Sequence, residues 1–345
     1  MKYLFLKLSL LMISILLVTS FIQKNHTTIS KVENKGDLKL SEVLLSLGDQ
    51  ALPHYQTSYD NILANVGEEL VTKGKANYKE HKGKRISSYF QCTDCHSLTK
   101  DAKSLNDVTP EDRLAYSKEN NMPFYPGSTL FGIYNRTSFY NDDYDKKYGD
   151  LVYDARDSLG NAIQLCAEYC ASGRLLEEWE LNALLHYFKR EELTLSDLDL
   201  KPEDYQHIIQ SMESGDKKEE SISILKQKYP TAFNATFTGT LDESKRGYGA
   251  EGDPEKGALL YETSCLHCHH NARVTYLDLD KDVLSAQYLW NNKEGYDDES
   301  IYQVIRWGTY PITGRKQYMP LYTEERMTDQ QIEDLMAYIK LIAKR

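Results

Sequence analysis

The stretch Cys92-Thr93-Asp94-Cys95-His96 returns 173 residues later as Cys265-Leu266-His267-Cys268-His269. In C-x-x-C-H the two thiols lie on one helical turn. There they can add across the vinyl groups of haem to make thioethers, while the histidine turns inward beneath the iron. A zinc ribbon also pairs two CxxC units, but at about 15–20 residues; Cys95 and Cys265 are 170 apart. A thioredoxin-like dithiol needs a βαβ context, which the pattern around neither motif supplies. Neither alternative explains a histidine after both pairs. The reading is therefore two covalently bound c-type haems, with Cys92, Cys95, Cys265 and Cys268 as attachment points and His96 and His269 as iron ligands.

Working outward, the two motifs sit in the same layout. A helix carrying Gly and Tyr four apart precedes each, Gly74 and Tyr78 in the first half and Gly257 and Tyr261 in the second. An amphipathic helix containing a tyrosine ends each. The first has Leu181, Leu184, Leu185 and Phe188 on one face beside Tyr187. The last has Ile332, Leu335, Met336, Ile339 and Ile342 with Tyr338. Both follow the i, i+3, i+4, i+7 spacing of a buried stripe. Asp253-Pro254 reads as an N-cap with proline at N1, and Thr328 with Gln331 as a capping box. The expectation is an all-α chain of two domains, at 61–190 and 253–345. Residues 191–252 form an ordered helical linker with two short helices and too few apolar residues to bury a core of its own.

Composition bounds the rest. The chain has 345 residues, 41% hydrophobic and 27% charged, with net charge -11. That is about right for two soluble domains, and it excludes a nucleic-acid protein, which needs a basic footprint. Six cysteines in this length are too sparse for a disulfide scaffold. Residues 1–22, with Lys2 before an apolar run from Leu4 to Val18, read as a signal peptide cleaved after Ser20; an uncleaved anchor is the competing reading. No cysteine lies there to carry a lipid. Residues 23–60 form a polar extension with one apolar stretch, Leu44 to Leu47, to which no function is attached. The expected location is periplasmic or exported, with anchoring on the outer face of the inner membrane if the segment stays.

The layout resembles class I cytochromes c, twice over, across about 60–190 and 253–345. In that family a Gly and an aromatic of the first helix meet an aromatic of the last, and Gly74, Tyr78 and Tyr187, and Gly257, Tyr261 and Tyr338, stand at those places. Pro126 followed by Leu130-Phe131-Gly132-Ile133-Tyr134-Asn135-Arg136 resembles the family's proline and L-x-G-x-x-x-R stretch. The resemblance implies that the proline carbonyl supports His96 and that Arg136 reaches a haem propionate, a charge-assisted pair. A plain surface arginine is the bland reading of Arg136. Met319, in Tyr318-Met319-Pro320, resembles the distal ligand of the second haem, while Met336 belongs to the apolar stripe and Met327 to a hydrophobic staple.

The first half has no methionine between Arg136 and its final helix. It has Cys166 and Cys170 instead, in a segment that resembles part of the thiosulfate dehydrogenases, diheme cytochromes with a His/Cys-ligated active haem. Ile163, Cys166 and Gly173 match that pattern. Ala162, Tyr169 and Cys170 stand where it has arginine, arginine and serine, which removes groups that would hold an anionic sulfur substrate. Three readings stay open: Cys166 ligates iron and is the candidate catalytic group, Cys170 ligates, or the two form a disulfide. An i, i+4 pair strains disulfide geometry. Two histidines beside the second motif, His267 and His270, read as surface residues. The Tyr140 to Tyr153 stretch reads equally as a crevice lining or as an exposed loop.

The function expected is electron carriage between a donor and a periplasmic cytochrome or membrane respiratory complex. Thiolate ligation lowers a haem potential and methionine raises it, so electrons should enter at the first haem and leave from the second. The rivals are a sulfur-compound oxidoreductase at the first haem and a diheme peroxidase, a family of similar length with two CxxCH motifs.

Overall fold

A computed structural model describes residues 35–56, 58–238, 247–271, 273–281, 283–293, 300–309 and 319–345. The signal or anchor segment 1–22 lies outside them. Among the described residues there are helices and isolated bridges but no strand, so the fold is all-α.

Helix α1 (Leu40–Ser46) belongs to the N-terminal extension, and α2 (Asn61–Lys73) opens the first half. The Asp60 side chain caps α2, accepting from the amides of Ile62 and Leu63 at 2.8 and 3.2 Å. Gly74 stops it, in the left-handed conformation at φ 67° that an L side chain resists. Gly74 and Tyr78 thus lie beyond the helix, not within it. The glycine that lets α2 approach the final helix of its half is Gly67. A Cβ there would collide with the carbonyl oxygen of Ala183 and come within 2.7 Å of Tyr187 Cβ. Helix periodicity alone admitted either glycine; the cap at Asp60 and the stop at Gly74 place the helix two turns earlier.

Helix α3 (Pro110–Asn120) begins at a Thr109–Asp112 capping box. Its Leu114, and Phe124 beyond it, are buried in the core of the second half. Helix α4 (Leu159–Leu165) runs into a π-helical turn, Cys166–Cys170, closed by the Ala171 amide donating to Cys166 O at 2.8 Å. A π-turn re-aims side chains that a straight helix would place elsewhere. Arg174 then fixes this turn to the final helix α5 (Glu178–Arg190), its guanidinium forked onto the fully buried Glu180 at 2.7 and 2.7 Å. On α5, Leu184, Tyr187 and Phe188 are buried against α2.

The linker carries α6 (Pro202–Ser214) and α7 (Lys218–Lys226). It does bury a core, contrary to expectation. Leu40, Val43, Leu44 and Leu47 of the extension pack with Leu193, Leu195, Ile208 and Leu225 of the linker. Neither segment has enough apolar surface alone. Together they bury one because Leu40 N donates to Leu193 O at 2.8 Å and Leu195 N to Leu38 O at 3.0 Å, holding the two stretches side by side.

The second half comprises α8 (Pro254–Leu260), a π-turn at Tyr261–Cys265, α9 (Val283–Asn291), α10 (Ile301–Trp307) and α11 (Asp329–Ala343). Asp253 caps α8, and the Thr328–Gln331 box caps α11. A Cβ on Gly257 would strike the carbonyl oxygen of Asp334, and Tyr261 and Tyr338 meet with ring centroids 5.4 Å apart. Gly257 against α11 is the counterpart of Gly67 against α5.

Candidate functional site: two motif-lined cavities with a common wall

Each CxxCH motif borders its own cavity, and each histidine is held the same way. His96 Nδ1 lies 2.6 Å from Ser128 O, and His269 Nδ1 lies 2.8 Å from Leu277 O. A carbonyl only accepts, so each Nδ1 carries the proton and each Nε2 keeps its lone pair for a metal. Burial lowers both imidazole pKa values, which keeps the rings in the neutral form that ligates. The carbonyl behind His96 is that of Ser128 rather than Pro126. Gly127 is the reason: the His96 ring lies so close that a Cβ at Gly127 would collide with it. The chain therefore turns at the glycine and presents the carbonyl one residue beyond.

The four motif thiols are free and half-buried. Burial pushes Cys92 and Cys268 up to about 11 and Cys265 to about 12, with Cys95 also raised. A sulfur in these walls is thus uncharged, as a thioether is.

The second cavity, of about 990 Å³, is lined by Cys265, Cys268, His269, Met319, Tyr322 and Leu335. Met319 is half-buried against the second core. Its amide donates to Thr309 Oγ1 at 3.0 Å, which fixes the loop's return toward α11. Met327 and Met336 are buried in the core, at 1% and 4% exposure. The volume lies within the roughly 300–1,000 Å³ range of cofactor sites.

The first cavity is smaller, about 230 Å³, and Cys92, Cys95, His96, Arg136, Cys166 and Cys170 all reach it. Arg136 is buried, not a surface residue. Its guanidinium donates to Thr129 O at 2.5 Å and Phe131 O at 3.2 Å, and its carbon sits 4.5 Å from the Phe233 ring centroid. It has no carboxylate partner among the described residues, and burial lowers its pKa to about 9. A buried cation so placed favours an anionic group in the cavity.

Cys166 and Cys170 are both free, so the disulfide is not formed here. Three hydrogen-bonding groups converge on Cys170. Its Sγ lies 3.3 Å from Tyr148 Oη and 3.5 Å from Tyr140 Oη, and it also pairs with the Cys166 thiol. These bonds hold Cys170 below the ordinary thiol range, while Cys166 is pushed up. Of the two thiols, Cys170 is the more acidic. Tyr140, Tyr144 and Tyr148 line this cavity, and Tyr153 of the same stretch is exposed.

The two cavities share part of their walls. Phe90, Gln91, Pro126 and Pro320 border both. Across the same junction His267 Nε2 pairs with Asp94 O at 2.9 Å, and Arg273 bonds the Asp94 carboxylate at 3.1 Å. Each bond joins a residue inside the first motif to one inside or just after the second. His267 is therefore a junction residue rather than a surface one. His270 pairs with Asp280 at 3.2 Å. Tyr322 donates to Phe124 O at 2.9 Å, further tying the halves together.

Sequence reasoning missed Arg326 and His267 as parts of the sites, and left Tyr140 and Tyr148 open between a crevice lining and an exposed loop. Tyr140, Tyr144 and Tyr148 recur at four-residue intervals, a one-face signal present in the sequence. Nothing local marks Arg326 or His267, which act on the opposite half of the chain.

A helical domain around a CxxCH histidine with a free nitrogen is the arrangement that a c-type haem needs. Residues 252–339 match the family model described as cytochrome C oxidase, cbb3-type, subunit III. The second half thus contains a cytochrome c domain, which holds a c-type haem with its iron and serves haem-based electron transfer. No curated protein and no solved structure matches the chain.

Proposed function

We propose that this chain is an exported diheme c-type cytochrome that carries electrons between a donor and a redox partner, through two haems whose sites adjoin. The carrying observation is the common wall, since Phe90, Gln91, Pro126 and Pro320 border both motif-lined cavities. A c-type haem supplies one-electron redox chemistry when bound. The protein's part is to attach, orient and enclose. Cys92 and Cys95 would hold one haem and Cys265 and Cys268 the other, and the Ser128 and Leu277 carbonyls fix the two proximal imidazoles.

On the distal side, Met319 serves the second haem. We assign Cys170 to the first, in preference to Cys166, because two tyrosine hydroxyls are hydrogen-bonded with its sulfur. A thiolate favours ferric iron and a thioether ferrous iron. Electrons accordingly run from the first haem to the second, and from there to the partner. The matched family's name describes an oxidase subunit, which supports a membrane respiratory complex as partner alongside a soluble cytochrome.

The test is pyridine haemochrome analysis with a spectroelectrochemical titration of the full chain. Two haems per chain and two separated potentials are expected. One haem per chain, or two equal potentials, would sink the proposal.

A further inference from the structure

We propose that Arg326, supplied by the second half of the chain, completes the binding site for the propionate carboxylates of the first haem. This rests on the diheme reading above.

Three guanidinium groups, those of Arg113, Arg136 and Arg326, are buried at 2%, 3% and 8% exposure, and the last two line the first cavity. Asp101 is the one carboxylate that pairs with any of them among the described residues. It takes Arg113 Nε at 3.0 Å and one terminal nitrogen of Arg326 at 3.3 Å. Glu325 is adjacent in sequence but is bonded to Thr236, accepting from its amide at 3.0 Å and its hydroxyl at 2.6 Å. Arg136 donates to backbone carbonyls and, at 3.4 Å, to Ser128 Oγ. Asp101 is thus shared between Arg113 and Arg326, the charge of Glu325 also acts on Arg326, and Arg136 has no carboxylate partner among the described residues.

Burying unbalanced charge costs several kcal/mol per ion unless a counter-charge sits in the same low-dielectric place. Burial accordingly lowers Arg136 to about 9 and Arg326 to about 10. A haem carries two propionates, which would supply the counter-charge that Arg136 lacks. Both Arg136 and Arg326 reach the cavity that holds His96, and both stack on Phe233, at 4.5 and 4.9 Å. Phe233 comes from the linker, so three separate parts of the chain build one anion site. Arg113 belongs to its frame: it donates to Arg326 O at 3.0 Å and to Tyr125 O at 2.9 Å. A guanidinium fork matches a carboxylate in plane and charge, as a lysine does not.

The consequence is that the second half tunes the first haem. Removing a nearby positive charge favours the ferric state. In full-length holo-protein, Arg326→Gln should lower the first-haem potential by about 59 mV, roughly a tenfold change in the one-electron equilibrium, and leave the second unchanged. The first haem is identified as the one lost in the Cys92→Ala/Cys95→Ala variant. Arg326→Lys keeps the charge but loses the fork. It should retain most of the potential while shifting the propionate bending bands in resonance Raman. An unchanged first-haem potential in Arg326→Gln with two haems bound, or a shift confined to the second haem, would overturn the proposal. Should Arg326→Gln not assemble, unchanged propionate bands in Arg326→Lys would overturn it equally. A wild-type chain with one haem defeats the diheme reading instead, and the two failures are thereby distinct.

Discussion

His96 and His269 are backed by carbonyls at 2.6 and 2.8 Å, and Gly67 and Gly257 each let a first helix press on a last one. On the proximal side and in the helical frame the halves are copies. On the distal side they part. The first cavity, about 230 Å³, is closed by Cys166, Cys170 and three tyrosines. The second, about 990 Å³, meets Met319 on a loop tied to Thr309. The first half also leans on a further core of extension and linker residues, while the second takes a smaller cluster of linker residues Ala235 and Phe237 with Leu321. The comparison teaches that a frame tolerates repetition, because helix packing asks only for small and apolar residues at the right steps. Redox character is set by the few groups that reach the iron's far side.

The largest effect should come from erasing one copy. Cys92→Ala with Cys95→Ala should reduce covalent haem from two to one per chain in the pyridine haemochrome assay, and Cys265→Ala with Cys268→Ala should remove the other. A chain still carrying two covalent haems after either change would break the equivalence of the motifs.

The extension core distinguishes the halves energetically. Leu44 is 3% exposed within it, so Leu44→Ala should cost about 2–5 kcal/mol in denaturant unfolding. A cost below 1 kcal/mol would reduce that core to a loose cover.

Gly67→Ala should destabilise toward the upper end of about 1–3 kcal/mol, because backbone atoms of Ala183 cannot move aside. Gly74→Ala, where the nearest atom stands 3.5 Å away and only the left-handed φ is strained, should cost about 1 kcal/mol. The reverse order in two melts would restore Gly74 as the packing glycine.

At the distal side, Tyr148→Phe should lower the first-haem potential by up to about 59 mV, a tenfold change, since a thiolate relieved of a donor pushes more charge to iron. The second potential should not move. Low-temperature electron paramagnetic resonance on Cys166→Ala and Cys170→Ala decides the ligand: the low-spin thiolate signal should survive the first change and vanish in the second.

The smallest effect belongs to the junction. His267→Ala removes one hydrogen bond to the Asp94 carbonyl and should cost about 1 kcal/mol. It should also slow electron transfer between the haems more than it shifts either potential. A rate unchanged from wild type would assign the common wall a purely structural part.

Much of this molecule could be read from the chain alone. The two CxxCH motifs, the stripes on α5 and α11, the Asp253 cap and the Thr328–Gln331 box are local patterns, and local patterns survive in one dimension. Gly257 was legible for the same reason. Gly67 was not, because the helix that carries it is fixed by a cap and a stop that periodicity does not contain. The extension core was missed because each of its strips is apolar only in short runs. Its stability comes from segments some 150 residues apart, Leu40 against Leu193.

The sequence by itself determined an all-α chain and marked the two CxxCH motifs, their histidines and the candidate distal sulfurs on which the haem reading rests. Each of these depends on residues a few positions apart, where bond geometry leaves few choices. Tertiary structure alone decided three things. Tyr140 and Tyr148 gather around Cys170 rather than Cys166. Ser128, not Pro126, backs His96. The two cavities meet, with Arg326 of one half standing in the site of the other. These are consequences of burial, which brings distant charges and donors into one low-dielectric space where each must find a partner.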